Sequence, residues 1–485
     1  MKDTAEYGLS RQVLRYGRLF WFGEIRDWDM TRRIVIVGGG FAGVHAAMHF
    51  DKVLAHRSDI DVVLISRENF ILFTPMLHEV AAGDLYPGDI ITPLRRILRR
   101  VNVVEGEVQS IDLSARRISC VAGVRSVRRE FGFDHLLVAL GSETNFFNLT
   151  SVRDWALTIK NLSDAALLRN RIVALLEEAA LESDESIRRQ LLTFVIAGGG
   201  FAGVETTGAV NDFVLDTAKL YPSLSRAEIR VVVVHPEGFL LPELGEELGR
   251  YAERKLRERK VEVIKGARVA SYDGTVVRLS DGNSIPSSTL IWTAGVKPNA
   301  VIATLPFEKE KGRLRVDEYL SVPGVSGVWA AGDCAAVPDG NKGTFHPPTA
   351  QHGSREGLAA AKNIERAILG RPLEPFRYRT MGLLATIGHC SAVAMIFGFK
   401  FSGLTAWWLW RTIYLAKLPG PLKKLRVTMS WTLDLFFGRN IEQIITLRDV
   451  EALSDRLALT QRRPHLTAGN FESLPSVAAT SNSER

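Results

Sequence analysis

A chain of 485 residues is too long for one ordinary hydrophobic core, so two or three domains are expected. Hydrophobic residues at 46% and charged ones at 24% place the bulk among globular proteins, and three cysteines, no two close in sequence, exclude a CxxC metal or redox pair. Lysine and arginine outnumber the acids 61 to 54, a net charge of +7 that suits anionic ligands or anionic lipid; no nucleic-acid motif accompanies it.

Residues 1–30 mix Arg, Asp and Glu with short aromatic runs such as LFWF and lack the apolar core and cleavage site of a signal peptide. Met30 stands directly before TRRIVIVGGG. The segment therefore reads either as a solvated or membrane-grazing extension or as sequence upstream of the true start.

Ile34 to Val37 form an apolar β-branched run, Gly38, Gly40 and Gly43 then spell GxGxxG, and AGVHAAMHF carries a helical period. Strand, turn and helix are predicted in that order. Gly38 permits the tight turn, Gly40 lets backbone approach a pyrophosphate, and Gly43 lets the helix lie close on the sheet, its free N–H groups facing the anion. A plain tight turn is the bland alternative, and the flanking strand and helix weigh against it. An acidic residue at the end of the second strand ordinarily holds ribose hydroxyls. Here DVVLI ends in Ser66 and Arg67, and a serine hydroxyl makes the weaker contact.

The stretch FVIAGGGFAGVETTG repeats the pattern 160 residues later, with Gly198, Gly200 and Gly203 as the turn. Two pyrophosphate cradles in one chain imply a flavin dinucleotide held in one and a nicotinamide dinucleotide visiting the other. Glu205, in the first turn of the second helix, serves either the helix dipole or, as a carboxylate beside the nicotinamide, the cation left when hydride departs. The following strand, VVVV, ends in His235, Pro236 and Glu237. No carboxylate stands at that strand end to repel the 2′-phosphate of NADPH, so NADH is expected with NADPH left open; Glu237 is a turn residue or a ribose contact.

Further on, Val325 to Ala331 form a strand that delivers Gly332 and Asp333 to a sheet edge, where a carboxylate can accept from ribityl hydroxyls. Cys334 reads as a structural thiol. In PPTAQHGSREGLAAA two prolines suit a helix start, placing Ala350 and Gln351 in its first turn. His352 and His389 titrate near neutrality and are candidate proton donors, against the commoner role of hydrogen-bonded scaffold.

Between Lys400 and Arg439 seven basic residues face one acid, Asp434, and four of the nine tryptophans fall there. LTAWWLWRTIYLAKL makes a helix of about 22 Å, short of a bilayer core of about 30 Å, and Pro419 and Pro421 end it. Leu425, Met429, Leu433 and Phe436 then form an apolar stripe opposed by Lys423, Arg426, Ser430 and Asp434. Interfacial docking is expected, with tryptophan at the headgroup boundary and basic side chains toward anionic lipid; a dimerisation or core helix is the alternative. Residues 461–485, rich in Ser, Thr, Pro and Ala, read as a disordered tail.

These motifs together resemble the two-dinucleotide-binding-domain flavoproteins, and more narrowly the type II NADH:quinone oxidoreductases. The likeness runs from about Arg33 to Asn440. It rests on both GGGFAG turns, FTPML at Phe73 to Leu77, LLVALGSETNFF at Leu136 to Phe147, TAGVKPN at Thr293 to Asn299, AAGDCA, PPTAQHG at Pro347 to Gly353, and ATIGHCSAVA at Ala385 to Ala394.

The resemblance implies an α/β protein of two Rossmann-like domains, an FAD domain (31–155 and 301–398) interrupted by an NADH domain (156–300), with a membrane-docking helical segment over 399–445. It implies that Gly38, Gly40, Gly43, Ala139, Gly141 and Asp333 contact FAD, joined by Ser66, Arg67 and Gln351. Gly198, Gly200, Gly203, Glu205, His235 and Gly295 then lie along the NADH path. Glu205 and Gln351 are the catalytic candidates, Gln351 toward quinone; where many relatives carry a second Gln this chain has Arg355 and Glu356. Hydride passes from NADH to flavin N5 and two electrons go on to quinone, without proton pumping and without a metal. A homodimer, peripheral on the cytoplasmic face of the cell membrane, is implied. Sulfide:quinone oxidoreductases and other flavoprotein reductases share the cradles, but the paired cysteines of the sulfide and disulfide enzymes are missing. A nicotinamide-responsive redox binding protein is the non-enzymatic alternative.

Overall fold

The computed structural model describes residues 31–340, 343–433, 441 and 443. The amino-terminal extension, Asp434, Phe436, Arg439 and the tail after Gln461 lie outside the described residues.

The β-branched run after Thr31 forms β1 (Arg32–Val37), which α1 (Phe41–Val53) connects to the parallel β2 (Ile60–Ser66). A short helix, α2 (Leu77–Ala81), precedes the parallel β3 (Asn102–Asp112). Antiparallel β4 (Arg117–Ala122) and β5 (Val127–Gly132) extend the sheet outward, and β6 (His135–Val138) returns to the other side of β1. Ile34 to Val37 are fully buried, as expected of a parallel strand covered on both faces.

After β7 (Ser142–Thr144) the chain builds a second sheet. Its strands are β8 (Leu157–Thr158), β9 (Thr193–Ala197), β10 (Arg230–His235), β11 (Glu262–Lys265) and β12 (Thr289–Trp292), in the order β8-β12-β9-β10-β11 and all parallel. Helix α3 (Leu162–Leu181) starts on a capping box made by Asn161 and Asp164, and α4 (Phe201–Ala218) follows β9 directly. β13 (Val296–Pro298) then pairs antiparallel with β7, a two-stranded ribbon between the two sheets. β14 (Val328–Ala330) re-enters the first sheet beside β6, completing the order β14-β6-β1-β2-β3-β4-β5.

In both sheets the strand that carries the glycine turn is flanked by neighbours reached in opposite directions, β6 and β2 for β1, β12 and β10 for β9. Ligands of open parallel sheets bind at such reversals, outside the carboxyl ends of the strands.

Helix α5 (Ala350–Ile368) packs on α1 so closely that a Cβ at Gly357 would lie 2.0 Å from the carbonyl oxygen of Ala42. The chain ends its described part with an antiparallel meander, β15 (Gly382–Thr386), β16 (Ala392–Ile396) and β17 (Phe399–Ser402), followed by α6 (Gly403–Lys417) and α7 (Pro421–Leu433). Their apolar side chains share one core with α2, α3 and α4.

α6 ends at Lys417 ahead of the two prolines, as expected, and Pro421 begins α7, where a missing N–H costs nothing. One expectation for this region changes. Three of its four tryptophans, Trp407, Trp410 and Trp431, are buried in the core rather than set at a lipid boundary. An indole buries more apolar surface than most side chains, and the meander offers it a wall. Trp408 alone of the four is exposed, together with Leu422, Leu425, Met429 and Leu433.

Candidate active site

The first cradle is set by backbone crowding. At Gly38, φ is +112° and a Cβ would stand 2.1 Å from the carbonyl oxygen of Ala139; at Gly43 it would stand 1.9 Å from that of Gly38. Only hydrogen fits at either place, and the helix is thereby drawn onto the strand end. Gly40 differs: its backbone is extended, no side chain caps α1, no acid lies in the first turn, and no heavy atom comes within 4 Å of where a Cβ would be. Free N–H groups, a positive dipole end and open space together fit a pyrophosphate. Gly141, with φ of +69° and open space beside it, and Asp333 stand on the same side, at the ends of β6 and β14. Asp333 Oδ2 accepts from Ser142 Oγ at 2.6 Å, and that hydroxyl accepts from Lys160 Nζ at 2.9 Å. The residues present therefore fit FAD: a diphosphate at the helix start and a polar, charged edge for its ribityl chain.

Ser66 has a protein partner of its own. It is buried under the turn, where a Cβ on Gly39 would come 2.0 Å from its oxygen, and it donates to the carbonyl of Glu68 at 2.6 Å. A small residue is needed there for packing. Arg67 is exposed and lies 3.6 Å from Glu68.

Reasoning from sequence missed Ser142, Lys160 and the use of Glu356. Glu356 is buried on α5 and accepts from the backbone N–H of Gly332 at 2.8 Å; burial pushes its carboxyl up to about 7. The departure from the relatives' glutamine marked the place but not the partner. Cys334 is buried, with Sγ 3.5 Å from the Val138 carbonyl and its thiol pushed up to about 12 by burial, an inert structural group.

The second cradle repeats the crowding: Gly198 has φ of +114° with Thr293 Oγ1 at 2.8 Å from its would-be Cβ, Gly203 meets Gly198 O at 1.9 Å, and Gly200 is uncapped and open. His235 faces the turn. Its Nδ1 accepts from Gly199 N–H at 3.1 Å, a Cβ on Gly199 would strike its ring at 2.7 Å, and burial lowers its pKa, so the ring is a neutral strut. Glu237 is the exposed carboxylate beyond this strand end. At Gly295 the place of a Cβ is taken by Phe147, whose Cζ would be 2.6 Å away. That glycine answers to an aromatic ring held on a left-handed backbone, φ +49°.

Glu205 points into the protein. Its carboxyl is 3.4 Å from the backbone N–H of Thr386 and 3.8 Å from His78 Nδ1, and His78 Nε2 is 3.1 Å from Thr386 Oγ1. The Trp410 ring stands edge-on to His78 at 5.7 Å. Burial pushes the Glu205 carboxyl up to about 8 and, by the same desolvation, His78 down to about 3. At neutral pH the proton resides on Glu205. The residue expected beside the nicotinamide is thus a buried carboxyl that shares its place with His78, Thr386 and Trp410. His78, inside the FTPML-to-EVAAG run, was not singled out in sequence because one imidazole in an apolar stretch carries no pattern.

Gln351 lies at the other end of β15. Its amide nitrogen donates to the Gly382 carbonyl at 3.2 Å and its oxygen accepts from Tyr378 at 3.1 Å, which leaves one N–H and one lone pair for a ligand. Arg355 stacks on the Tyr378 ring at 4.4 Å. His352 is scaffold: Nδ1 and Nε2 lie 2.7 Å and 3.2 Å from the hydroxyls of Thr349 and Thr380. His389 is exposed and lines a cavity of about 550 Å³ that also reaches His78 and Thr386. Among the described residues no cluster of three metal-ligating side chains occurs, and no helix is long and apolar enough to cross a membrane.

Comparison with known proteins agrees with this geometry. Residues 32–357 match the pyridine nucleotide-disulphide oxidoreductase family and residues 381–440 the NDH2 C-terminal domain. The chain is 33% identical over 430 residues to a type II NADH:quinone oxidoreductase, Ndh, of Mycobacterium tuberculosis, covering 85% of this chain and 90% of that one. It is 30% identical to a probable NADH dehydrogenase of Dictyostelium discoideum over 85% and 91% of the two chains. Among solved structures, NDH2 of Plasmodium falciparum in complex with NADH superposes with a TM-score of 0.79 at 20% identity, covering 85% of this chain and all (100%) of that one. The sulfide:quinone oxidoreductase of Aquifex aeolicus follows the same fold less closely, with a TM-score of 0.62 at 18% identity over 84% and 96% of the two chains.

Proposed function

The chain belongs to the type II NADH:quinone oxidoreductases, and on that premise we propose how its own residues divide the work of an FAD-dependent NADH:quinone reductase. FAD, when bound, supplies the two-electron chemistry between nicotinamide and quinone. The uncapped starts of α1 and α4 bind the two diphosphates, one permanently and one in passing. Ser142, Asp333 and Glu356 order the edge of the first site. Gln351 uses its spare N–H and lone pair to orient quinone, and Glu205 holds a proton for it. Aligning two reactants near contact distance is worth up to about 7 to 11 kcal/mol, so few acids or bases are needed. The observation that carries this reading is the pair of open, uncapped glycine turns at two strand-order reversals.

We further propose that the exposed stripe of Leu422, Leu425, Met429 and Leu433, with Trp408 nearby, rests on the membrane face from which NADH arrives, and that the enzyme is a homodimer there. Purified protein should carry yellow FAD that NADH bleaches without oxygen and quinone restores. A colourless polypeptide, or bleaching without quinone-dependent return, overturns the assignment. L425D/M429D should lose vesicle binding while keeping soluble-quinone turnover, and its mass in detergent reads the oligomer.

A further inference from the structure

NADH brings two electrons and one proton, whereas the quinol formed carries two of each, so one proton per turnover must come from water. Glu205 holds a proton at neutral pH but is buried, its side chain only 12% exposed. Any refilling must pass through a wall. The cavity of about 550 Å³ lies on the far side of that wall, lined by His78, Thr386 and His389 and by the α4 residues Asp212 and Asp216.

We propose that this cavity is the proton inlet of the enzyme, and that Thr386 and His78 relay a proton from its water to Glu205; the assignment rests on the quinone-reductase reading above. The groups stand in order with one gap. Thr386 lines the cavity and its hydroxyl contacts His78 Nε2 at 3.1 Å, and His78 Nδ1 faces Glu205 Oε2 at 3.8 Å, a distance that a shift of about 1 Å closes to hydrogen-bond length. In the step, the threonine oxygen takes a proton from water while its own hydrogen passes to Nε2. Nδ1 then releases its hydrogen to the Glu205 carboxylate, which has just given one up. His78 ends in its other tautomer and is reset when water of the cavity, which His78 also lines, gives a proton to Nδ1 while Nε2 returns one through Thr386 to the same water, an exchange that changes no net charge. One proton enters, none is lost, and no oxidant is required.

Neighbouring charges suit such a path. Toward Glu205 stand His78, Glu79 and, from α6, Tyr414. At the mouth Asp212 is fixed by Arg259 at 2.6 Å and by the His389 backbone N–H at 2.7 Å, while Asp216 and Lys219 pair at 2.7 Å. Arg411 closes the wall, its guanidinium 3.8 Å over Trp407 and 4.7 Å from Trp431.

The test uses FAD-loaded enzyme carrying H78A, H78Q or T386V. Bleaching by NADH should stay within about twofold of wild type, while the quinone half-reaction falls about 10- to 100-fold, the range for a lost proton donor. Added imidazole should restore H78A, whose missing ring joins the cavity, and leave H78Q unchanged. Independently of turnover, the infrared carboxyl band that E205Q abolishes should exchange with deuterium more slowly in H78Q and T386V. Unchanged exchange and an unchanged quinone half-reaction in both refute the inlet. Should H78A not fold, H78Q and T386V decide alone. Failure of wild-type enzyme to reduce any quinone would instead refute the function and leave the exchange measurement standing.

Discussion

His45 and Glu205 occupy the same register in two nearly identical turns, each seven residues beyond the first glycine of its cradle. Both lie inside a helix start and both are driven toward neutrality by desolvation, His45 downward and Glu205 upward. The surroundings separate them. His45 Nδ1 is tied to its own helix at Phe41 O, 2.8 Å away, while Glu205 meets Thr386 and His78 from two other elements. Below the turns the difference recurs, with a serine under Gly39 and an imidazole under Gly199. Equal turns make equal backbone cradles; what packs against them from elsewhere in the chain sets them apart.

The comparison breaks most severely at its shared glycines. G38A forces a methyl group within 2.1 Å of a backbone oxygen at a φ of +112°. It should cost more than about 3 kcal/mol, giving a flavin-free, poorly folded protein. G198A meets the Thr293 hydroxyl at 2.8 Å and backbone at 3.0 Å at a φ of +114°, a strain confined to the second cradle, and should keep its flavin while losing NADH affinity. Flavin-to-protein ratio and thermal melting distinguish the two, and equal flavin loss in both would mean the cradles are not divided as described.

Next in size, E205Q should lower quinone turnover about 100-fold with full flavin content, whereas H45Q should stay within about threefold. Steady-state rates at saturating NADH decide this, and a larger defect in H45Q would invert the assignment.

A smaller effect lies in stability. Glu205 is raised in the folded state from 4.5 to about 8, so between those values the folded protein keeps a proton that the unfolded chain has lost. Its contribution is complete below pH 4.5 and disappears as pH rises through 8. His78, lowered from 6.5 to about 3, acts oppositely, and stability from it grows as pH rises from 3 to 6.5. E205Q should therefore melt above wild type by an amount that widens from pH 6.5 to pH 8, reaching about 2 to 4 °C. A constant difference in differential scanning fluorimetry would place Glu205 in a solvated setting.

The smallest expected change is at the rim of the second cradle. Removing the charge of Glu237 in E237Q should improve kcat/KM for NADPH over NADH by about fivefold, the worth of one weak repulsion of about 1 kcal/mol. No change would show that this carboxylate stands clear of the 2′ position.

The glycine turns were legible because they are local: strand, turn and helix need only neighbours in sequence, and steric exclusion at Gly38 and Gly198 leaves no alternative residue. Gln351 at a helix start was legible for the same reason. The partners of Ser66 and His235 were not legible, because a strand end can turn its side chain up toward a ligand or down beneath a turn, and the residues packed there come from elsewhere in the chain. The tryptophans of α6 and α7 misled similarly, since an indole suits a lipid boundary and a protein core equally well until the meander is in place.

By itself the sequence determined that two dinucleotide cradles exist, where they lie and that a basic, aromatic segment follows them, because spacing and glycine sterics act over a few residues. Tertiary structure decided which buried groups meet. The groups that meet around Glu205 come from positions 78, 205, 386 and 410, and burial shifts a carboxyl and an imidazole only when elements so distant in the chain exclude water from the same place.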